Sequence, residues 1–397
     1  MNSIISINKL IFALVLTLGL LVTSVLQAQT FNVIHSFSGS DGSGPLAGLA
    51  IDSKGNLYGT TNSGGAHSAG VVFRANGSGQ ERVLYSFGSV ANDGANPESS
   101  LIFDTPGNLY GTTFSGGTSG NGTIFRLTPK GVETVLYSFV GGADGANPEA
   151  RLAMDKFGNL YGTTTAGGAS GEGTVFEISK AGQHNVLYSF GGGSDGTDPV
   201  AGVTLDAKGN LYGTTASGGS YGYGAVFELK RLQSGWAERI LYNFQMQDDG
   251  GIPYAGLVFD PAGNLYGGTT DGGGGVGGGG GTIFKLSPSS GGSWTFSVLY
   301  GLSGWNISGP FRDLFFEAAS GVIYGTTHCD GTYEAGTVYQ LAPSGNTWTY
   351  TLLYTFTGGT DGLYVFSNLV IDKSGNLYGT VNTGGASGYG DIFKVVP

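Results

Sequence analysis

Asn159-Leu160-Tyr161-Gly162-Thr163-Thr164 recurs along almost the whole chain, and its spacing decides the fold. The same phrase opens at Asn56, Asn108 and Asn210, and looser copies open at Asn264 (Asn-Leu-Tyr-Gly-Gly-Thr-Thr), Val322 (Val-Ile-Tyr-Gly-Thr-Thr) and Asn376 (Asn-Leu-Tyr-Gly-Thr-Val). The tyrosines Tyr58, Tyr110, Tyr161, Tyr212, Tyr266, Tyr324 and Tyr378 therefore keep a period of about fifty residues, in the range of propeller blades. Residues 97–139 show what one period contains. Leu101-Ile102-Phe103 reads as a short strand a, and Asp104-Thr105-Pro106-Gly107-Asn108 as a tight turn whose carboxylate caps backbone N–H groups. Leu109 to Thr113 follows as strand b, a glycine-rich loop leads to Thr123 to Leu127 as strand c, and Val135 to Phe139 forms strand d. β-Branched and aromatic residues fill all four runs with no helical period, so the chain reads as all-β.

Four antiparallel strands repeated at this spacing predict a seven-bladed β-propeller. The chain starts with a d-type strand, Val33 to Phe37, and stops after a c-type strand, Asp391 to Val395, so the N-terminal strand is expected to complete the last blade. Such pairing removes two exposed edges, whereas an open array needs polar caps that are not visible. Strands such as Val83-Leu84-Tyr85-Ser86-Phe87 are apolar at successive positions because each blade is covered on both faces. Trp236, Trp294 and Trp348 stand in matching places near the outer strand and read as packing residues.

Residues 1–28 are expected to be a secretory signal peptide, with Lys9 ahead of the apolar run Leu10 to Leu26, and residues 29–397 a single propeller domain. An uncleaved anchor is the alternative, and no later stretch is apolar enough to span a membrane. Cys329 is the single cysteine, which excludes an intramolecular disulfide. A net charge of −11 with few Lys and Arg leaves no basic stripe for phosphates, so nucleic acid is not an expected partner. The 77 glycines sit largely at fixed places in the repeat and mark turns rather than disorder.

The full phrase, Asp-x-x-Gly-Asn-Leu-Tyr-Gly-Thr-Thr, then Gly-Gly-x-x-Gly-x-Gly-Thr-(Val/Ile)-Phe, then Val-Leu-Tyr-Ser-Phe and Asp-Gly-x-x-Pro, resembles the tandem repeat of the Gloeobacter and Verrucomicrobia type. Asp155 to Phe176, Val186 to Phe190 and Asp195 to Pro199 carry every element in order. The resemblance implies an exported or surface protein of bacteria, secreted or held at the cell surface. It brings no catalytic residues.

Chemistry is expected where repeats depart from the pattern. The d-to-a and b-to-c loops should emerge on one rim, and the recurring aspartates there, Asp41, Asp93, Asp144, Asp195, Asp249 and Asp361, read as turn formers. The sixth blade departs most, with Trp305-Asn306 in place of Asp-Gly, Phe311-Arg312-Asp313 opening strand a, and His328-Cys329-Asp330 after strand b. Trp305, Arg312, Asp313, His328 and Asp330 are therefore candidate ligand-binding residues, with His328 a proton carrier near neutral pH. The alternative is a decayed repeat whose polar groups satisfy one another. Glu98, Glu149 and Arg151 open strand a in neighbouring blades and should point to the channel mouth, where paired carboxylates are one route to glycoside cleavage. Aromatic residues on the b-to-c loops, Phe114, Tyr221, Tyr223, Tyr333 and Tyr389, suit stacking on sugar rings. With His35, His67, His184 and His328 spread over different blades, neither a metal nor a cofactor is expected. The reading is thus a monomeric binding module for a glycan or an extracellular protein. A polysaccharide lyase or glycosidase using Glu98, Glu149, His328 and Asp313, and a structural surface protein without a small ligand, are the alternatives.

Overall fold

In the second repeat, Ile102–Phe103 (strand a), Leu109–Thr113 (b), Thr123–Leu127 (c) and Glu133–Ser138 (d) form one antiparallel sheet in that order. The computed structural model describes residues 29–274, 279–302 and 309–397, and within them seven such sheets are built alike. The seventh combines Val370–Ile371, Leu377–Val381 and Asp391–Val396 with the N-terminal strand Thr30–Ser36, so the ring closes as the two partial repeats require. The expected signal peptide (1–28) and Trp305 lie outside the described residues. No helix among the described residues is long and apolar enough to cross a membrane.

Each word of the repeated phrase has a local cause. The glycine of Leu-Tyr-Gly lies under the strand-c aromatic ring: a Cβ on Gly162 would stand 2.6 Å from Phe176. Both oxygens of the turn aspartate are used, as in Asp104, which accepts from the Asn108 backbone and side chain (2.7 Å each) and from Tyr110 (3.0 Å). The first threonine of Thr-Thr crosses to the next blade, with Thr163 Oγ1 donating to Ala201 O (2.9 Å) and Thr380 Oγ1 to Ala47 O (2.8 Å) across the closing seam. Gly268 replaces this threonine in the fifth blade, because a Cβ there would strike the ring of Pro310.

The core is distributed over the seams between blades rather than held in any blade. Phe87, Leu101, Leu109, Phe125 and Leu127, for example, are buried together where blades 1 and 2 meet. Every c–d pair has a register shift at the same place, such as Ile124/Phe125, which leaves the leucine of Val-Leu-Tyr without a partner and sharpens the twist. That bulge, together with the cover on both faces, accounts for the consecutive apolar residues of strand d. Trp236, Trp294 and Trp348 pack edge-on against Tyr161, Tyr212 and Tyr266 of the preceding blade, in the packing role their spacing suggested.

Candidate functional site

The d-to-a and b-to-c loops share one rim, since they pair with each other: Ser43 with Ser63, Ala146 with Ala166, Thr197 with Ser217, and Leu363 with Thr383. The rim is anchored by the loop proline, which packs on a left-handed glycine of the previous blade, as Pro148 does on Gly122 and Pro199 on Gly173. The residue after this position opens strand a, and in blades 2 to 5 it lines the mouth. In ring order the seven equivalents are Leu46, Glu98, Glu149, Val200, Tyr254, Phe311 and Phe366. One side of the mouth is therefore acidic and the other aromatic, an asymmetry that the repeat does not require.

Glu98, Glu149, Arg151, Val200, Tyr254, Arg312, Asp313 and Asn368 line a small cup at the mouth, with about 20 Å³ of free space between them. Arg312 bridges it from blade 6 and donates from Nε to the carbonyl of Leu46 in blade 1 (3.4 Å). Burial raises Glu98, against the pull of Arg312 and of the amide of Asn62, which donates to its Oε1 at 2.6 Å. Glu149 is pushed up to about 7 by burial, opposed by Arg312 and reinforced by Glu98 and Asp198. The cup has a polar floor. Arg151 of blade 3 meets Asp313 of blade 6 across the channel (3.4 Å), Asp313 accepts from Gly256 N (2.9 Å), and Ser100 donates to Asn368 (2.8 Å). Arg151, Asp313 and Asn368 also bound an apolar lower cavity of about 450 Å³ lined by Ile51, Ile102, Phe103, Val258 and Phe315, so this belt is the waist of the channel.

Tyr254 stacks on Phe311 (5.0 Å between ring centroids), and Phe311 meets both His328 (4.8 Å) and Phe366 (5.4 Å). His328 is thus one plate of an aromatic cluster that also includes Tyr364 (5.0 Å). Burial among these rings lowers its pKa to about 4, which holds the imidazole neutral and does not suit the proton carrier expected near neutral pH. The loop segments beneath this cluster are strained: Ile252 and Tyr364 have φ of 53° and 63° where other repeats place Gly, Asn or Asp.

The structure brings Glu98, Glu149, Arg151, Arg312 and Asp313 together and sets His328 behind the aromatic side. It does not bring in the other candidates. Asp330 caps Gly331 N (2.7 Å) in its own loop. Tyr221, Tyr223, Tyr333 and Tyr389 stand exposed on the b-to-c loops of blades 4, 6 and 7, outside the cup lining. Tyr254, Phe311, Phe366 and Asn368 escaped notice as a group, although stacking the repeats on the loop proline would have aligned them.

The model of the Gloeobacter/Verrucomicrobia repeat matches residues 15–207, 158–327 and 201–397. The chain belongs to this repeat family. Among curated proteins, none matches the sequence of this repeat protein. Solved propellers share its fold. One assigned as a 6-phosphogluconolactonase from Bacteroides uniformis is 15% identical, covering 88% of this chain and 99% of that chain with a TM-score of 0.54. A puromycin hydrolase is 11% identical, covering 86% of the repeat protein and 50% of the hydrolase with a TM-score of 0.55. Identities this low show the fold alone.

Proposed function

We propose that this propeller is an exported binding module that takes a sugar residue of a glycan at the channel mouth. The observation that carries the reading is the asymmetric ring: two carboxyls of adjacent blades and Arg312 face an aromatic side built on Tyr254 and Phe311. Hydroxyls of a sugar ring match the acceptors and the guanidinium, and its apolar face matches a tyrosine ring. The cup is shallow and floored by the Arg151–Asp313 pair, which favours a ligand resting on the mouth over one threading the channel. Export is supported by the apolar run Leu10 to Leu26.

The test is a glycan array with the purified chain beside Tyr254→Ala and Arg312→Ala, each checked for an unchanged melting transition. Binding that falls about tenfold or more in both variants supports the mouth, as expected for truncation of an anchoring aromatic or arginine. Binding that survives both sinks the reading. A second reading, acid–base cleavage of the same glycan, is favoured by Glu149, because a carboxyl near 7 holds a proton for transfer at neutral pH. It requires turnover of the bound glycan that Glu149→Gln abolishes while binding persists.

A further inference from the structure

At the outer end of five seams, the strand-d tyrosine donates to the aspartate of the following turn: Tyr85 to Asp93 (2.8 Å), Tyr137 to Asp144 (2.5 Å), Tyr188 to Asp195 (3.0 Å), Tyr242 to Asp249 (2.9 Å) and Tyr354 to Asp361 (2.9 Å). The next blade covers this pair with the residue two positions before its own Val-Leu-Tyr run. At four seams the tyrosine is covered by a stacked ring: Phe296 on Tyr242 (3.8 Å), Tyr350 on Tyr300 (4.6 Å), Phe31 on Tyr354 (3.8 Å) and His184 on Tyr137 (4.2 Å).

The seam between blades 7 and 1 differs at the tyrosine position. His35 replaces the tyrosine, with Nε2 3.0 Å from Asp41 Oδ2, and the cover is Glu81, whose Oε1 is buried without a hydrogen-bond partner. His35, Asp41 and Glu81 each turn one ligand atom into the same space, all within 4.8 Å of one another. The supporting shell is in place as well. Asp41 Oδ1 accepts from the Ser38 backbone (2.7 Å) and hydroxyl (2.9 Å), and the His35 ring rests edge-on against Phe37 (5.1 Å). The half-buried His35 and Asp41 side chains, 18% and 22% exposed, leave a solvent side for further ligands.

Comparison with the other seams separates this cluster from an ordinary feature of the repeat. Glu133 and Glu238 also carry a buried unpaired Oε1 and sit close to Asp93 and Asp195, but the third group there is a phenol, Tyr85 or Tyr188. His184 reaches Asp144 (3.2 Å), yet Tyr137 stacks on its ring and no second carboxylate joins it. Among the described residues, the closing seam alone joins an imidazole to two carboxylates.

We propose that His35, Asp41 and Glu81 form a binding site for a divalent transition-metal ion of the zinc class, which clasps the N-terminal strand of blade 7 to strand d of blade 1. One imidazole with two carboxylates and a water is a donor set for such an ion, whereas calcium prefers six or more oxygens. Because the ligands come from the chain's first strand and from blade 1, binding holds that strand in place beside blade 1. This site is independent of the reading of the channel mouth.

The experiment uses the untagged full chain stripped with a chelator, titrated with Zn2+ and separately with Ca2+ by calorimetry, and melted at each metal concentration. The variants are Glu81→Gln and His35→Tyr, the latter restoring the residue that most other blades use. Expected are one Zn2+ per chain, a melting temperature that climbs with Zn2+ concentration, and affinity at least tenfold weaker in both variants, with His35→Tyr melting no lower than the metal-free parent. Absence of Zn2+ uptake, preference for Ca2+, or variants that bind and respond like the parent would each overturn the proposal.

Discussion

Gly162 shows how one absent methyl group shapes a blade. Its Cα lies under the Phe176 ring with a negative φ, so what the position excludes is bulk and not a backbone conformation. Gly162→Ala is expected to cost about 1–3 kcal/mol, the usual range for overpacking a tight core. Chemical denaturation measures it, and Phe176→Leu in the same chain should recover part of the loss. Full stability of Gly162→Ala alone would show that the ring is free to move. The same residue-level logic explains the irregular fifth phrase: Gly268 makes room for Pro310, so the seam between blades 5 and 6 goes without the threonine bridge seen at Thr163 and Thr380.

Strand d and its turn set the response to pH. Glu133 and Glu238 are each pushed up to about 7 by burial, with Asp93 and Asp195 adding to it. A carboxyl that holds its proton more tightly in the folded chain contributes stability fully below its unfolded pKa, near 4.3, and loses it as pH rises through the folded value. The melting temperature of metal-free protein should therefore fall between about pH 5 and pH 8. Glu133→Gln/Glu238→Gln should flatten that slope, and an unchanged slope would place the titrating groups elsewhere. The turn aspartates act in the opposite direction. Burial alone would raise Asp104 and Asp155, but the bonds from Asn108 with Tyr110, and from Asn159 with Tyr161, outweigh it and lower both. Their contribution is present above the ordinary carboxylate value and is lost as pH falls through the depressed one, so the stability maximum lies on the acid side of neutrality.

Seam-based packing makes the ring one cooperative body. No blade owns a core: Phe31, from the first strand, stacks on Tyr354 of blade 6 and packs with Phe356 and Phe393, while Ile392 and Phe37 of blade 7 are buried with Phe73 of blade 1. Removing residues 1–36 would uncover these rings and the edge of Asp391–Val396, and an open sheet edge beside exposed aromatics promotes association. Such a chain is expected to bind a hydrophobic dye and to lose the single sharp calorimetric transition of the parent. Retention of one sharp transition would mean that six blades and a three-stranded seventh suffice.

What the sequence determined alone was the blade. Turn aspartates, the glycine under the aromatic ring and the Val-Leu-Tyr strand are short-range requirements that recur at fixed places, so their meaning is readable within about fifty residues. Sequence also pointed to Glu98, Glu149, Arg151, Arg312 and Asp313 as departures from the repeat at one end of strand a. Which of them meet was decided only by closing the ring, which sets Arg151 opposite Asp313 and carries Arg312 across to Leu46. The packing of blade 1 against the first strand brought Glu81 to His35 and Asp41, a meeting that no local spacing announces. The environment of His328 belongs to the tertiary fold for a related reason: Phe311, Tyr364 and Phe366, whose burial of the imidazole lowers its pKa, come from two inner loops that only the closed ring packs around it.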